Sequence, residues 1–322
     1  MKKSERKILS ILAAVTLVLA VAVILTGSSD EKEAAPEYLF YHSASSIRQL
    51  DFANGKDYIH LLRSESGWTM ADDEAFSVDP TAVEMLLQAL AKTQVKAKLD
   101  ISDPAELEQY SLLSPDCIIE YRLNSSEAHS VRIGAMSELT EELYIALDGD
   151  ESTVYVTTPE IGQAFSCRKL DLLAYPAIPT PKDGQCAVTI QNLYGTTELF
   201  KDGEDWFVSV DGGAEKIDEK TAYNYYFLTW DMHWRGRVEH NAPDPAKYDL
   251  ARPRIGYTLR YTEDGAEKTF ALELGSSLPD GSCYARLKDS PDIFLLDALM
   301  ANWLEGTKPE ALIQNNRQEN EK

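Results

Sequence analysis

The stretch Asp103-Pro104-Ala105-Glu106-Leu107-Glu108-Gln109-Tyr110-Ser111-Leu112 returns, shortened, as Asp244-Pro245-Ala246-Lys247-Tyr248-Asp249-Leu250. In both, an aspartate stands where a helix N-cap is wanted and a proline fills the first helical position, where its missing N–H costs nothing. Each therefore predicts a short helix of one or two turns, and Pro115 or Pro253 forbids its continuation. The recurrence decides the architecture. The chain is expected to be a tandem repeat, and the flanking sequence can be aligned outward from these two points.

Upstream of the first stretch, Ile47 to Phe52 alternates up to an Asn54-Gly55 turn, followed by Tyr58 to Arg63 and then Gly67-Trp68. That pattern predicts a hairpin running into a third strand. Upstream of the second, Ala187 to Leu193, a turn at Gly195, Thr197 to Lys201, a turn at Asp202-Gly203 and then Asp205-Trp206 repeat it. A helix follows in each copy, capped by Asp79 with Pro80 in one and by Asp218 in the other. Val83, Leu86, Leu87 and Leu90 supply an i, i+3, i+4, i+7 apolar face, and Tyr223, Tyr226, Phe227 and Trp230 fill the same spacing in a second helix expected to run to Arg235.

Downstream, the strands Cys117 to Leu123 and His129 to Ile133 are answered by Ile255 to Tyr261 and Thr269 to Leu274, with Gly134 and Gly275 ending matching strands. A closing hairpin follows in each copy: Leu143 to Leu147 with Thr153 to Val156, then Tyr284 to Leu287 with Ile293 to Leu296. Helical stretches are expected near Pro159 to Phe165 and Asp297 to Leu304. Trp68 and Trp206 stand 138 residues apart, Asp103 and Asp244 141, Gly134 and Gly275 141, and Tyr144 and Tyr284 140. So small a drift over the whole unit is what a duplication leaves.

The fold expected is therefore α+β: two tandem copies of an antiparallel sheet packed with short helices, preceded by one transmembrane helix. That helix is Ile8 to Leu25, an apolar run broken only by Ser10 and Thr16. At about 1.5 Å per residue it spans roughly 27 Å, close to the hydrocarbon thickness of a bilayer. Lys2, Lys3, Arg6 and Lys7 precede it and Asp30, Glu31 and Glu33 follow, which places the N-terminus in the cytoplasm and the bulk of the chain outside. A cleaved signal peptide is the alternative, with Ala20-Val21-Ala22 as the small-x-small site. The chain then divides into a basic stub and anchor (1–27), a tether and lead-in (28–46), the first copy (47–175), a proline-rich connector (176–185), the second copy (186–313) and a polar tail (314–322) expected to be disordered.

Net charge is −22 over 322 residues, and the basic N-terminus concentrates the acidity further in the remainder. Such a surface repels phosphate backbones, so nucleic acid is not an expected partner. Cys117, Cys167, Cys186 and Cys283 have no metal-ligand spacing and no counterpart from copy to copy. They are expected either as small buried hydrophobes or, for Cys167 and Cys186, as a bridge across the connector.

No catalytic residue, metal ligand or cofactor site is expected, and the chain is not read as an enzyme. His42, His60, His129, His233 and His240 sit singly, whereas zinc needs converging ligands. Ser166-Cys167-Arg168-Lys169 matches S-x-x-K without the further elements that chemistry requires. The acidic clusters Asp72-Asp73-Glu74, Glu138 with Glu141 and Glu142, and Asp148-Gly149-Asp150-Glu151 lack EF-hand spacing and are expected as solvated turns. The copies differ most in the second amphipathic helix, where Tyr225, His233, Trp234 and Arg235 are additions of the residue types enriched at binding hot spots. They are the candidate partner-binding residues, against a plainer expectation of packing against the other copy.

Trp68, Asp103-Pro104 to Leu112, Ile133-Gly134, Tyr144 to Leu147 and Val154 to Val156, in this order, resemble the family called domain of unknown function 4340. The resemblance extends over about Ile47 to Leu312. It implies a bacterial, membrane-anchored extracytoplasmic protein encoded beside ABC-type transport systems of the gliding-motility kind, and it carries over no catalytic residues. The function expected is a binding or assembly module, an accessory to such a complex held to the bilayer by Ile8 to Leu25. A cell-surface hydrolase with a carboxylate site, or a carbohydrate-binding module using Tyr225 and Trp234, are the alternatives.

Overall fold

The computed structural model describes residues 37–40, 42–55, 57–181, 187–210 and 213–313. The predicted anchor, Cys186 and the polar tail lie outside the described residues, and no helix among those described is long and apolar enough to cross a membrane.

The first part of the chain forms β1 (Ile47–Asn54), β2 (Asp57–Ser64), β3 (Gly67–Met70), α1 (Pro80–Ala91), β4 (Val95–Asp100), β5 (Cys117–Leu123), β6 (Ala128–Met136), β7 (Leu143–Leu147), β8 (Thr153–Thr157) and α2 (Glu160–Phe165). The second part forms β9 (Ala187–Asn192), β10 (Gly195–Asp202), β11 (Asp205–Val210), β12 (Gly213–Ile217), α3 (Glu219–Tyr226), β13 (Trp234–Glu239), β14 (Ile255–Glu263), β15 (Ala266–Ser277), β16 (Cys283–Leu287), β17 (Ile293–Leu296) and α4 (Ala298–Gly306). Two antiparallel sheets result, ordered β3-β2-β1-β5-β6-β7-β8-β4 and β12-β11-β10-β9-β14-β15-β16-β17-β13. With β12 set aside, the two orders match strand for strand.

Alternation assigns each sheet two faces. On one face of the first sheet Leu50, Phe52, Ile119, Ile133 and Ile145 pack with Val83, Leu86, Leu87 and Leu90 of α1 and with Phe165 of α2. The apolar spacing of α1 is thus the buried face, and Asp79 caps it by accepting from Thr81 N at 2.9 Å. On the other face Ala146 and Val154 meet Leu107 and Leu112 of the Asp-Pro stretch. That stretch is a 3₁₀ helix, Pro104–Tyr110, with Asp103 and Glu106 forming a capping box; its copy is Pro245–Tyr248, where Lys247 stands in the place of Glu106.

The matching glycines now have a physical reason. A Cβ on Gly134 would run into the carbonyl oxygen of Tyr110, and one on Gly275 into that of Tyr248. The short helix lies so close to the strand that only a residue without a side chain fits beneath it. Tyr110 with Tyr144, and Tyr248 with Tyr284, close the same contact with ring centroids 4.8 Å apart in both copies. Another shared device holds the closing helices. Asn54 donates to the carbonyls of Phe165 and Cys167 at the end of α2, and Asn192 to those of Leu304 and Thr307 at the end of α4.

The second amphipathic helix departs from expectation. Instead of running to Arg235, α3 stops at Tyr226, continues as one 3₁₀ turn, Phe227–Asp231, and becomes extended at Met232. Tyr226 is buried as expected, but Trp230 is 51% exposed rather than core. Pairing supplies the reason: β13 covers β17, which would otherwise present a row of unsatisfied N–H and C=O groups. In the first copy β4 covers β8 in the same way.

Candidate functional site

Two places separate the copies: the junction built on β13, and a cleft at the end of the first sheet. At the junction, register irregularities between Trp234 and Gly236 and between Arg237 and Glu239 interrupt the alternation of β13. Trp234, Arg237 and His240, three residues apart, all reach the first copy or the connector as a result. The Trp234 indole N–H donates to Pro176 O at 2.9 Å, and its ring lies 5.2 Å from Phe294. Arg237 donates to Asp79 at 2.7 Å and to Leu173 O, with its guanidinium 4.1 Å from the Tyr175 ring centre. His240 stands between Asp292, 2.7 Å from Nδ1, and Asp73 of the first copy, 3.3 Å from Nε2.

The four residues predicted for recognition are therefore not one surface. Trp234 is half-buried in the junction and contacts both cores. Tyr225 packs on the second core, edge-on to Trp303 of α4 at 6.1 Å. His233 and Arg235 are exposed beside Asp297, the N-cap of α4, and Arg235 forms an ion pair with that carboxylate. The hydrogen bond from Arg235, the Leu299 amide and the nearby positive charge hold the Asp297 carboxyl below its ordinary value.

The S-x-x-K residues also go separate ways. Ser166 donates to Gln163 O at 2.7 Å, whereas Lys169 forms ion pairs with Asp72 and Asp73. Of the acidic turns, Asp148 receives the Ser130 amide and Asp150 the Ser152 amide, each at 2.8 Å. Among the described residues no group of His, Cys, Asp and Glu is arranged to hold a metal ion. A polar hollow of about 390 Å³ lies beside His129 and Asp148, with Asp51 and Glu120 directly opposite in register on β1 and β5.

The cleft is larger, about 540 Å³, within the range of small-ligand sites, and mostly apolar. Cys117, Ile133, Leu143 and Phe165 make its floor, Gly134 and Gly162 also line it, and Asp116, Met136 and Ser166 stand on its rim. Met136 is 52% exposed, and Leu139 in the loop just beyond it is 96% exposed. Burial pushes the Cys117 thiol up to about 12, and neighbouring Cys167 adds to the shift. Cys117, Cys167 and Cys283 are free thiols.

The same place in the second copy is shut. Arg254, Ser277 and Glu305 occupy the positions of Asp116, Met136 and Ser166, and Arg254 donates to Glu305 at 2.7 Å and to Ser277 at 2.8 Å. Beneath this clasp Ile255, Leu274, Cys283 and Leu304 are wholly buried. The Cys283 thiol is pushed up to about 12 by burial, with the nearby charges of Arg254 and Glu305 acting on it in opposite directions. Reading each sequence copy alone does not find this contrast, because the clasp residues come from three separate elements.

Nearly all of the cleft lies in one stretch of the first copy. Residues 68–174 match the family described as domain of unknown function (DUF4340). The match runs from Trp68 through the Asp-Pro stretch, Gly134 and α2, and takes in every cleft residue except Asn54 and Gly55. The second copy shares the strand order of the first. No curated protein and no solved structure matches the chain.

Proposed function

We propose that the protein is a non-enzymatic binding module, held at the outer face of the membrane by Ile8 to Leu25 and serving as an accessory to an ABC-type transport complex. The binding part of this reading rests on one observation: the first copy keeps an apolar-floored cleft open at the place that the second copy closes with Arg254, Ser277 and Glu305. Duplicated folds under no demand beyond stability have the same reason to cover that floor twice. The transport part rests on the DUF4340 resemblance, which supplies the class of partner and no residue roles.

A photo-crosslinking side chain in place of Met136, activated in native membranes, tests the proposal. Adducts with subunits of an ABC-type transporter are the expected product. Recovery of the uncrosslinked chain alone, from membranes that contain the transporter, would overturn it.

A further inference from the structure

The cleft and the clasp are one structure with a part exchanged. In the second copy Arg254, a residue with a long apolar stem, has its guanidinium held by Glu305 and Ser277. In the first copy the stem is missing, and the residue in its place, Asp116, carries the opposite charge. The remaining polar groups around the first cleft, Asn54, Gln163 and Ser166, offer oxygen acceptors, and among the described residues no Lys, Arg or His lines it. The floor is therefore apolar, the rim accepts hydrogen bonds, and the ionised group among its described residues is a carboxylate. A cationic group on an apolar stem satisfies all three conditions; an acidic group would face Asp116, and a purely apolar one would leave it without a partner.

We infer that the first-copy cleft receives from a protein partner what the second copy supplies to itself: an arginine or lysine side chain, its stem on Cys117, Ile133 and Leu143 and its charge at Asp116, with a neighbouring aliphatic residue against Met136. This inference rests on the binding reading above and names the chemistry of the occupant. The net charge of −22 acts in the same direction, because it speeds encounter with a basic segment. The Asp116 carboxylate offers two oxygens to one planar guanidinium, which favours arginine over lysine.

The test uses alkylation of Cys117 in the full-length chain by N-ethylmaleimide, followed by mass spectrometry, with buried Cys283 as the internal measure of folding. The probes are acetyl-Leu-Arg-Leu-amide and the same peptide with Glu or Leu in place of Arg. The arginine peptide is expected to slow Cys117 alkylation about tenfold at roughly ten times its Kd, and the acidic peptide to have no effect. Asp116→Asn, at an exposed position, is expected to weaken that protection several-fold with Cys283 still unreactive. The pair Asp116→Arg and Ser166→Glu transplants the clasp, so Cys117 should become slow to react without any peptide. Equal protection by the all-leucine peptide, or full protection in Asp116→Asn, would overturn the basic-segment inference while leaving the cleft a binding site. Protection by none of the peptides would overturn both. If the double variant exposes Cys283, the Asp116→Asn result decides.

Discussion

The two copies are built on one strand order and diverge at their edges. In the first, β3 is an edge strand and Trp68 is half-buried on it, with the Arg63 guanidinium 5.8 Å from its ring centre. In the second, β12 is added outside β11, Ile217 pairs with Trp206, and the tryptophan falls to 2% exposure among Tyr223 and Tyr226. At the other end the order reverses: the second copy closes its floor with Arg254, and the first leaves it open. What is kept in both is the contact of the Asp-Pro helix with a glycine, the asparagine that holds the closing helix, and the strand that covers the last edge. The kept features complete the fold, and the changed ones set which surfaces each copy offers.

This comparison can be broken most directly at the tryptophans. Trp206→Ala should cost about 3–5 kcal/mol by emptying a closed core, while Trp68→Ala, at an edge, should cost clearly less. Equal losses in denaturant unfolding would mean that β12 does not change the environment of the position. Next come the glycines, where Gly134→Ala and Gly275→Ala should each cost about 3 kcal/mol, because the added Cβ meets a backbone carbonyl that must move. A large effect in one copy and none in the other would end the claim that this contact is shared.

A smaller effect is expected at the caps. Asp103→Ala should cost about 1 kcal/mol and leave partner binding unchanged, and Asp244→Ala, whose copy has Lys247 in place of the capping-box glutamate, should cost less. Thermal unfolding of the two variants side by side decides the order.

The smallest effect is in acid. Asp297 caps α4 and pairs with Arg235, whereas α2 starts at Pro159 without a side-chain cap. Since the folded state holds the Asp297 carboxyl below its ordinary 3.8, its contribution is present above that pH and is lost as pH falls through the lower folded value. Asp297→Asn should therefore lower stability at neutral pH and flatten its decline as pH falls below the ordinary 3.8. A variant with an unchanged acid limb would remove Asp297 from the account.

Much of this was legible in the residues. The hairpins, α1 and the Asp-Pro helices are each fixed by neighbours within a few positions, through alternation, apolar spacing and caps, and these readings hold nearly residue for residue. The aromatic stripe after Asp218 misled because its spacing is helical, while its fate depended on β17, a strand more than sixty residues further on whose open side β13 covers. The same dependence hid β4, and β12 escaped because a short polar strand at an edge has no apolar alternation to announce it. Of the residues singled out for recognition, Trp234 became part of the junction, and the cleft drew instead on Asp116, Met136 and Ser166, which no local pattern marks.

The sequence by itself determined that the chain is two copies of one β-rich unit, because duplication is written in residue order and each strand, cap and turn is a local signal. Tertiary structure alone decided which strands close the sheets, that Arg237 and His240 join the copies, and that one copy keeps a cleft where the other has a clasp. Those outcomes depend on side chains from β5 or β14, β6 or β15, and α2 or α4 arriving at one point. Whether a carboxylate or a guanidinium stands there has meaning only once folding has brought its neighbours within hydrogen-bond reach.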